Sequence, residues 1–173
     1  VSVRMKDADL GRVGKGLKAV ADVIMERVKR RSITKLDGGR KLALVSGGVD
    51  YSGFHRADLV IEAVFEDVEV KRTVLREVEA IAGPDCLFAS NTSTIPIARI
   101  AEASKRPETV IGMHFFSPVH RMPLLEVIPS QQTAPETTVS VVAVGRRMGK
   151  TVIVVKDRPG FFINRILAPY VVE

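Results

Sequence analysis

Short apolar runs of strand length alternate with stretches of helical periodicity along most of the chain, and this alternation constrains the fold more than any other feature. The runs at 59–64, 86–89 and 110–114 are mostly apolar on both faces instead of alternating with polar residues. Strands of this kind are typical of a parallel sheet covered by helices on both sides. Further strands are predicted at 1–5, 124–128 and 152–155, and helices at 68–82, 95–103 and 135–148. The sequence therefore predicts an α/β fold with a doubly wound, mostly parallel sheet.

A long amphipathic helix is predicted directly after the first strand. Its apolar positions recur at spacings of three and four residues, at Leu10, Val13, Leu17, Val20, Ile24 and Val28. The Asp37-Gly38-Gly39 sequence is expected to break the chain before it returns to a strand near 42–45. We interpret this region as a helical excursion between two strands.

Two glycine-containing stretches resemble phosphate-binding loops only superficially. Gly11, Gly14 and Gly16 have the reverse of the dinucleotide-binding spacing and lie inside the predicted long helix. The stretch 145–151 is one residue short of a phosphate loop and precedes a strand, where such a loop must precede a helix. Neither stretch predicts a phosphate site.

Positive charge is concentrated at the start of the chain. The 173 residues include 26 Lys and Arg against 20 Asp and Glu, but residues 1–41 hold 12 and 5 of these, a net charge of +7. A local basic face indicates an anionic partner such as nucleic acid, a phosphorylated cofactor or an acidic membrane surface. No apolar run approaches the roughly 20 residues of a membrane-spanning helix. The single Cys86 is expected to be a buried small apolar residue and fits a reducing compartment.

Polar residues follow the ends of several predicted strands. Ligands of doubly wound sheets bind beyond the carboxyl ends of the strands, so Asp7, 62–66, 90–93 and 114–117 are expected to gather on one rim. Asp7 has two interpretations that the sequence leaves equally open. It is either the acid that accepts hydrogen bonds from an adenosine ribose or the N-cap of the long helix.

His114 and Glu126 form a candidate catalytic pair. His114 ends a strand at the rim, although a histidine packed between aromatic residues is the alternative. Glu126 lies in the apolar run 124–128, where a carboxylate is costly unless it is paired. If the chain reverses between them, Glu126 can accept a hydrogen bond from one imidazole nitrogen and leave the other free as a base.

The chain resembles the 3-hydroxyacyl-CoA dehydrogenase family of fatty-acid β-oxidation, and most closely the central region of its multifunctional α-subunits. The resemblance is carried by ADLVIEAVFEDVEVK (57–71), FASNTSTIPI (88–97), IGMHFFSPVHRMPLLEVIP (111–129), MGKTVIVVKDRPGFFINRILAPY (148–170) and, more weakly, VRMKDAD (3–9). It implies a Rossmann-like NAD-binding domain at 1–158 and the start of a helical domain at 159–173.

The resemblance also implies roles for individual residues. His114 would take the proton of the substrate 3-hydroxyl as hydride leaves C3 for NAD, with Glu126 as its partner. Ser93 would contact the substrate hydroxyl and the nicotinamide region, and Asn164 would orient the substrate near the histidine. The remaining cofactor contacts would be Asp7, Glu66, Lys71 and Ser117, the last at a position where many members have Asn. No metal site is predicted.

The basic helix has a counterpart in the family, whose members place such an excursion against CoA. Lys15, Lys18, Arg27, Lys29, Arg30 and Arg31 are therefore candidate contacts of the CoA phosphates. A nucleic-acid-binding module that uses residues 11–31 is the rival interpretation, and it would leave His114, Glu126 and the 90–94 loop unexplained. A non-catalytic fragment is the third alternative.

Compared with the family pattern, the chain lacks the first strand, the Gly-rich loop that follows this strand and the helix that follows the loop. Because that loop supplies backbone amides for the pyrophosphate, the chain alone is expected to bind NAD poorly and to be part of a larger multifunctional enzyme. The resemblance implies a homodimer or a complex with a thiolase subunit, and no nucleic-acid partner. A bacterial cytoplasm is the expected location, with a mitochondrial or peroxisomal matrix as the alternative.

Overall fold

The structure is a computed structural model that describes residues 1–171, with side chains described as far as Leu167. The chain divides into two compact units, Val1–His55 and Arg56–Glu173. Each unit has its own sheet, of two strands in the first unit and five in the second.

The first unit contains the predicted helical excursion. Strand β1 (Val3–Lys6) leads into helix α1 (Leu10–Lys29), a second helix α2 (Lys35–Leu42) follows, and the chain returns in strand β2 (Val45–Gly48). The two strands are parallel, with Val3 opposite Val45. Asp9 begins α1, because its carboxylate accepts a hydrogen bond from the backbone N–H of Arg12 at 2.8 Å.

The predicted chain break at Asp37-Gly38-Gly39 is wrong, since these residues lie inside α2. Thr34 caps this helix by accepting a hydrogen bond from the backbone N–H of Asp37 at 3.0 Å. Gly38 is buried, and a Cβ added there would approach Cγ2 of Val28 to 2.8 Å. A glycine in a helix costs about 1 kcal/mol, and here it allows α2 to pack closely against α1.

The second unit contains the predicted mostly parallel sheet. Its strands lie in the order β3-β4-β5-β6-β7, and every neighbouring pair is parallel except β5 and β6. The elements are β3 (Leu59–Glu62), α3 (Val68–Glu79), β4 (Leu87–Ser90), α4 (Ile97–Ala101), β5 (Val110–Phe115), β6 (Leu124–Pro129), α5 (Pro135–Arg147), β7 (Thr151–Val154) and α6 (Ile163–Val171). The α/β fold predicted from the apolar runs is confirmed.

The core of this unit lies around the central strands. One cluster of fully buried residues there consists of Ala89, Ile111, Met113, Leu125, Val127 and Val141. Because β5 and β6 are buried on both faces, they read as nearly continuous apolar runs in the sequence. Cys86 is buried as predicted, and burial raises the pKa of its thiol.

The two glycine-containing stretches that superficially resemble phosphate-binding loops lie in the secondary structure that the sequence predicts for them. Gly11, Gly14 and Gly16 lie within α1, and the stretch 145–151 runs from the end of α5 into β7. Across residues 1–171, no helix is long and apolar enough to cross a membrane. The same residues include no cluster of three or more His, Cys, Asp or Glu side chains suited to a metal ion.

Candidate active site

The predicted contact between His114 and Glu126 is present. The chain reverses after β5, and the antiparallel pairing of β5 with β6 sets these two residues directly opposite each other. Glu126 Oε2 lies 2.7 Å from His114 Nδ1. The Glu126 side chain is fully buried, and only 6% of the His114 side chain is exposed. A buried carboxylate at this distance fixes the orientation of the imidazole ring.

The second carboxylate oxygen of Glu126 binds the start of α6. Glu126 Oε1 accepts hydrogen bonds from the backbone N–H groups of Phe162 at 3.1 Å and Ile163 at 2.9 Å. The imidazole of His114 also lies beside two aromatic rings, those of Phe116 and Phe161, at centroid distances of 4.5 and 5.7 Å. One carboxylate therefore orients the histidine and anchors a helix, while aromatic rings flank the imidazole.

This arrangement suits a general base. Since the carboxylate accepts the Nδ1 proton, Nε2 is the ring nitrogen that remains for a proton from another molecule. A histidine that is only packed among aromatic residues would also contact Phe116 and Phe161, but packing does not explain why a buried carboxylate lies beside it.

The 92–94 loop after β4 is organised around Glu66. Glu66 Oε1 accepts hydrogen bonds from Thr92 Oγ1 at 2.5 Å, from the Ser93 N–H at 2.9 Å, and from the N–H and the hydroxyl of Thr94 at 3.1 Å. Burial tends to raise the pKa of Glu66, but these hydrogen bonds and the Lys71 ammonium outweigh it and lower the pKa to about 2. Glu66 thus stays ionised and holds the loop in place.

Lys71 was predicted to contact the cofactor, yet its side chain is only 1% exposed. Its ammonium group lies 2.9 Å from Glu62 Oε1, 3.4 Å from Glu66 Oε2 and 3.4 Å from the carbonyl oxygen of Val64. The three protons of the ammonium group are therefore directed at protein acceptors, and any part that Lys71 has in binding passes through Glu66.

Asn164 and Ser93 lie together. The side-chain amide of Asn164, in the first turn of α6, donates a hydrogen bond to the Ser93 carbonyl oxygen at 3.1 Å. The side chain of Ser93 is exposed, so its hydroxyl is accessible at the rim. Asn164 consequently connects the 92–94 loop to the helix that Glu126 anchors.

Sequence reasoning missed two positioning residues. Asn91 Oδ1 accepts a hydrogen bond from the Phe115 N–H at 2.9 Å, which ties the end of β4 to the residue after His114. Asp157 accepts hydrogen bonds from the N–H groups of Ile97 at 2.7 Å and Ala98 at 2.8 Å, so it caps α4. Both lie within the motifs that carry the family resemblance, but neither contact could be deduced from spacing.

Ser117 lies in the loop between β5 and β6 and is exposed. The same loop is held from outside, because the ammonium group of Lys150 donates hydrogen bonds to the carbonyl oxygens of Val119 and of Met122, the latter at 2.7 Å. The predicted contact of Ser117 with the cofactor stays a prediction.

The remaining candidates belong to the first unit. The Asp7 carboxylate accepts a hydrogen bond from the neighbouring Ala8 N–H at 2.7 Å, and the N-cap alternative for Asp7 is wrong because Asp9 fills that position. In the basic helix, Lys18 pairs with Asp22 at 2.7 Å. Arg30, just after the helix, pairs with Glu26 at 2.5 Å. The other three candidate CoA contacts, Lys15, Arg27 and Lys29, are also exposed.

The carboxyl ends of β3 and β4 fit the nicotinamide end of a dinucleotide. Val64 and Phe65, which follow β3, are exposed apolar residues, and Ser93 in the loop after β4 is exposed as well. Apolar surface with a few polar groups is typical of a ligand site, and a hydroxyl such as that of Ser93 can hydrogen-bond to a ribose or a carboxamide. The pyrophosphate requires backbone amides of a Gly-rich loop at a helix N-terminus, and residues 1–171 include no strand, loop and helix of that kind.

Comparisons with known proteins agree with this geometry. A family model described as the NAD binding domain of 3-hydroxyacyl-CoA dehydrogenase matches residues 1–158. The fatty acid oxidation complex subunit alpha of Vibrio vulnificus is 48% identical over 173 residues, which are all of this chain and 24% of that protein. The chain thus spans about a quarter of the length of this relative.

Solved structures give the same result. (S)-3-hydroxybutyryl-CoA dehydrogenase from Ralstonia eutropha is 37% identical with a TM-score of 0.95, over 99% of this chain and 60% of that one. 3-Hydroxybutyryl-CoA dehydrogenase from Escherichia coli is 32% identical with a TM-score of 0.93, over 98% of this chain and 36% of that one. The chain therefore belongs to the family of NAD-binding domains of 3-hydroxyacyl-CoA dehydrogenases.

Proposed function

We propose that the protein containing this chain oxidises a 3-hydroxyacyl-CoA to the 3-ketoacyl-CoA in fatty-acid β-oxidation, with His114 as the catalytic base. The observation that carries the proposal is the buried hydrogen bond between His114 Nδ1 and Glu126 Oε2 at 2.7 Å. A secondary alcohol cannot lose hydride from its carbon unless its hydroxyl proton goes to a base. NAD, when bound, supplies the acceptor for that hydride.

The role of Glu126 follows from its contacts. As Nε2 of His114 takes the hydroxyl proton, the ring gains a positive charge that the adjacent carboxylate stabilises. Because Glu126 Oε1 is held by the Phe162 and Ile163 N–H groups, the carboxylate need not move during this step. Fixed charges of this kind stabilise a transition state without a cost of reorganisation.

Ser93 and Asn164 would position the reacting groups. The exposed Ser93 hydroxyl is available to the substrate hydroxyl and to the nicotinamide region. Asn164 holds the backbone of Ser93 at 3.1 Å from its own amide nitrogen, and so it would fix the loop relative to α6. Glu66 and Ser117 would complete this part of the NAD site, with Lys71 acting behind Glu66.

The first unit would contribute to binding. Asp7 follows β1, where an acid would accept hydrogen bonds from the adenosine ribose. Lys15, Lys18, Arg27, Lys29 and Arg30 would attract the phosphates of CoA. Their exposure supports this part of the proposal, and the exposed ion pairs of Lys18 and Arg30 are weak enough to exchange for a ligand phosphate.

The wider context is also proposed. We assign residues 1–158 to the NAD-binding domain and 159–173 to the start of a helical domain within a multifunctional enzyme. The relative from Vibrio vulnificus is named as a subunit of a fatty acid oxidation complex, which supports a complex. We extend this to a thiolase subunit as the partner, with a homodimer as the alternative, and to a bacterial cytoplasm as the location.

The test is NADH formation from a 3-hydroxyacyl-CoA by the full-length protein, comparing wild type with His114→Gln. We expect turnover to fall severely and NAD binding to stay nearly intact. His120→Gln is the matched control, because His120 is exposed in the loop between β5 and β6 and should change neither. Unchanged turnover of His114→Gln would refute the catalytic assignment.

The rival interpretation as a nucleic-acid-binding module has a separate test. It predicts binding of the protein to DNA or RNA with an affinity that falls steeply with salt. If the wild-type protein forms no NADH but binds DNA or RNA in this salt-dependent way, the nucleic-acid-binding interpretation replaces the dehydrogenase proposal.

A further inference from the structure

A buried ion pair lies directly behind the 92–94 loop. Glu62 ends β3, and its side chain is fully buried together with Lys71 of α3 and Ser90 of β4. Glu62 Oε1 is 2.9 Å from Lys71 Nζ and accepts the Val64 N–H at 2.7 Å, while Oε2 accepts the Ser90 hydroxyl at 2.6 Å. This ion pair joins two strands and a helix below the proposed cofactor site.

The Lys71 ammonium is shared between two carboxylates. Besides Glu62, it faces Glu66 Oε2 at 3.4 Å. The other oxygen of Glu66 accepts all the hydrogen bonds that hold Thr92, Ser93 and Thr94. Because a carboxylate is rigid, the position of Lys71 determines how Glu66 is presented to the loop.

The contacts continue to the catalytic pair. The Ser93 carbonyl binds Asn164 of α6, and the first turn of α6 binds Glu126, which holds His114. All these links are hydrogen bonds or ion pairs between described side chains and backbone groups of one unit. The buried pair therefore lies at one end of a continuous polar network whose other end is the proposed base.

We infer that Glu62 and Lys71 are positioning residues, whose buried ion pair fixes Glu66 and through it the 92–94 loop of the NAD site. The positioning itself is argued from the contacts above, and its effect on NAD binding rests on the proposed function. Isolated charges are costly in a protein interior, and a buried pair adds little net stability compared with apolar residues of similar size. The pair thus contributes less to stability than its burial suggests. Because Lys71 also contacts Glu66, which binds the 92–94 loop, the pair is connected to the NAD site.

The test separates stability from binding with a charge-neutral double variant, Glu62→Gln/Lys71→Met, in the full-length protein. Each single variant leaves one buried charge unpaired, so we expect its Tm to fall by about 10 °C. The double variant removes both charges, and its Tm should return to near the wild-type value. Its Kd for NADH, measured by fluorescence titration, should still be raised about tenfold, since weakening one charge-assisted hydrogen bond has an effect of this size.

Two further variants identify the route. Glu66→Gln alone should raise the Kd for NADH by a similar factor, and combining it with the double variant should add little, because both act through the same loop. The control Glu69→Gln removes a carboxylate that is 65% exposed on the same helix, where it pairs with Arg72 at 2.8 Å, and it should leave the Kd unchanged.

A double variant with wild-type Tm and wild-type Kd would overturn the inference. The inference would also be overturned if the increase in Kd of the combined variant equalled the product of the increases caused by Glu66→Gln and by the double variant. If the double variant does not recover its Tm, Ser90→Ala replaces it, because this change removes one hydrogen bond of Glu62 and no charge. A wild-type Kd in Ser90→Ala would then overturn the inference. The binding measurement needs no turnover, so a protein that binds NADH without oxidising 3-hydroxyacyl-CoA refutes the proposed function while the positioning role is still decided.

Discussion

Replacing Glu126 by Gln should place the His114 proton on the wrong nitrogen. Three donors converge on this buried carboxylate: His114 Nδ1 on Oε2, and the N–H groups of Phe162 and Ile163 on Oε1. A Gln side chain offers one oxygen and one NH2 group in the same space. The amide must therefore turn its NH2 group either toward the two backbone N–H groups or toward His114.

The structure decides between these orientations. An NH2 group facing Phe162 and Ile163 would leave two buried donors unpaired, at a cost of about 1–3 kcal/mol each. With the amide oxygen on those donors instead, the NH2 group faces Nδ1, which must then accept a hydrogen bond. The imidazole proton consequently moves to Nε2, and the nitrogen needed as a base is blocked.

We expect Glu126→Gln to lower kcat by a factor on the order of 10³–10⁴, as when the acid of a comparable histidine–carboxylate pair becomes an amide. This loss corresponds to about 4–5.5 kcal/mol in the activation barrier. The assay is NADH formation by the full-length protein, with Kd for NADH and Tm measured in parallel. Glu136→Gln is the control, because Glu136 is an exposed residue of α5. A kcat within tenfold of wild type, at unchanged Tm, would refute the argument about the tautomer.

Three further predictions concern stability, each measured as the free energy of unfolding. The pKa of Glu66 is lowered from 4.5 to about 2, so its contribution to the free energy of unfolding is complete above pH 4.5 and is lost as the pH falls toward 2. Because 41% of the side chain is exposed, we expect this loss to be about 1–2 kcal/mol. The pH dependence should be absent in Glu66→Gln. Gly112→Ala should destabilise by about 1–3 kcal/mol, since its Cβ would lie 2.8 Å from Ile97 Cδ1 and 2.9 Å from Ile128 Cβ; a neutral result would contradict the packing. Gly14→Ala should stabilise by about 0.5–1 kcal/mol, because Gly14 lies in α1 with no atom within 4 Å of an added Cβ; a destabilised variant would contradict that geometry.

Most of the fold could be predicted because each strand of the second unit is an apolar run bounded by polar residues. The predicted run at 59–64 became the strand Leu59–Glu62, and the run at 152–155 became Thr151–Val154. Strand and helix ends shifted by a few residues, since ends depend on caps such as Asp67, which binds the first turn of α3. The helix across Asp37-Gly38-Gly39 was missed because its formation depends on packing, which propensity does not include.

The site could be predicted in part for a related reason. A carboxylate in an apolar strand indicates that a partner must exist, and His114 was the nearby candidate for Glu126. The burial of Lys71 could not be predicted, since a lysine in the helical pattern of 68–82 normally lies on the solvent face. Likewise, nothing in the sequence indicates that Asp157 caps α4 from about 60 residues away.

The antiparallel pair β5–β6 is what turns this sheet into a site for proton transfer. All the other neighbouring strands in the second unit are parallel, and the ends of parallel strands bring loops together without pairing individual side chains. Reversal of the chain after Phe115 sets His114 opposite Glu126 in the ladder itself. A slip of one residue would turn Glu126 to the other face of the sheet and bring Leu125 or Val127 opposite the histidine. The apolar residues on either side of Glu126 are fully buried, so the core that fixes the register also fixes the distance between carboxylate and imidazole.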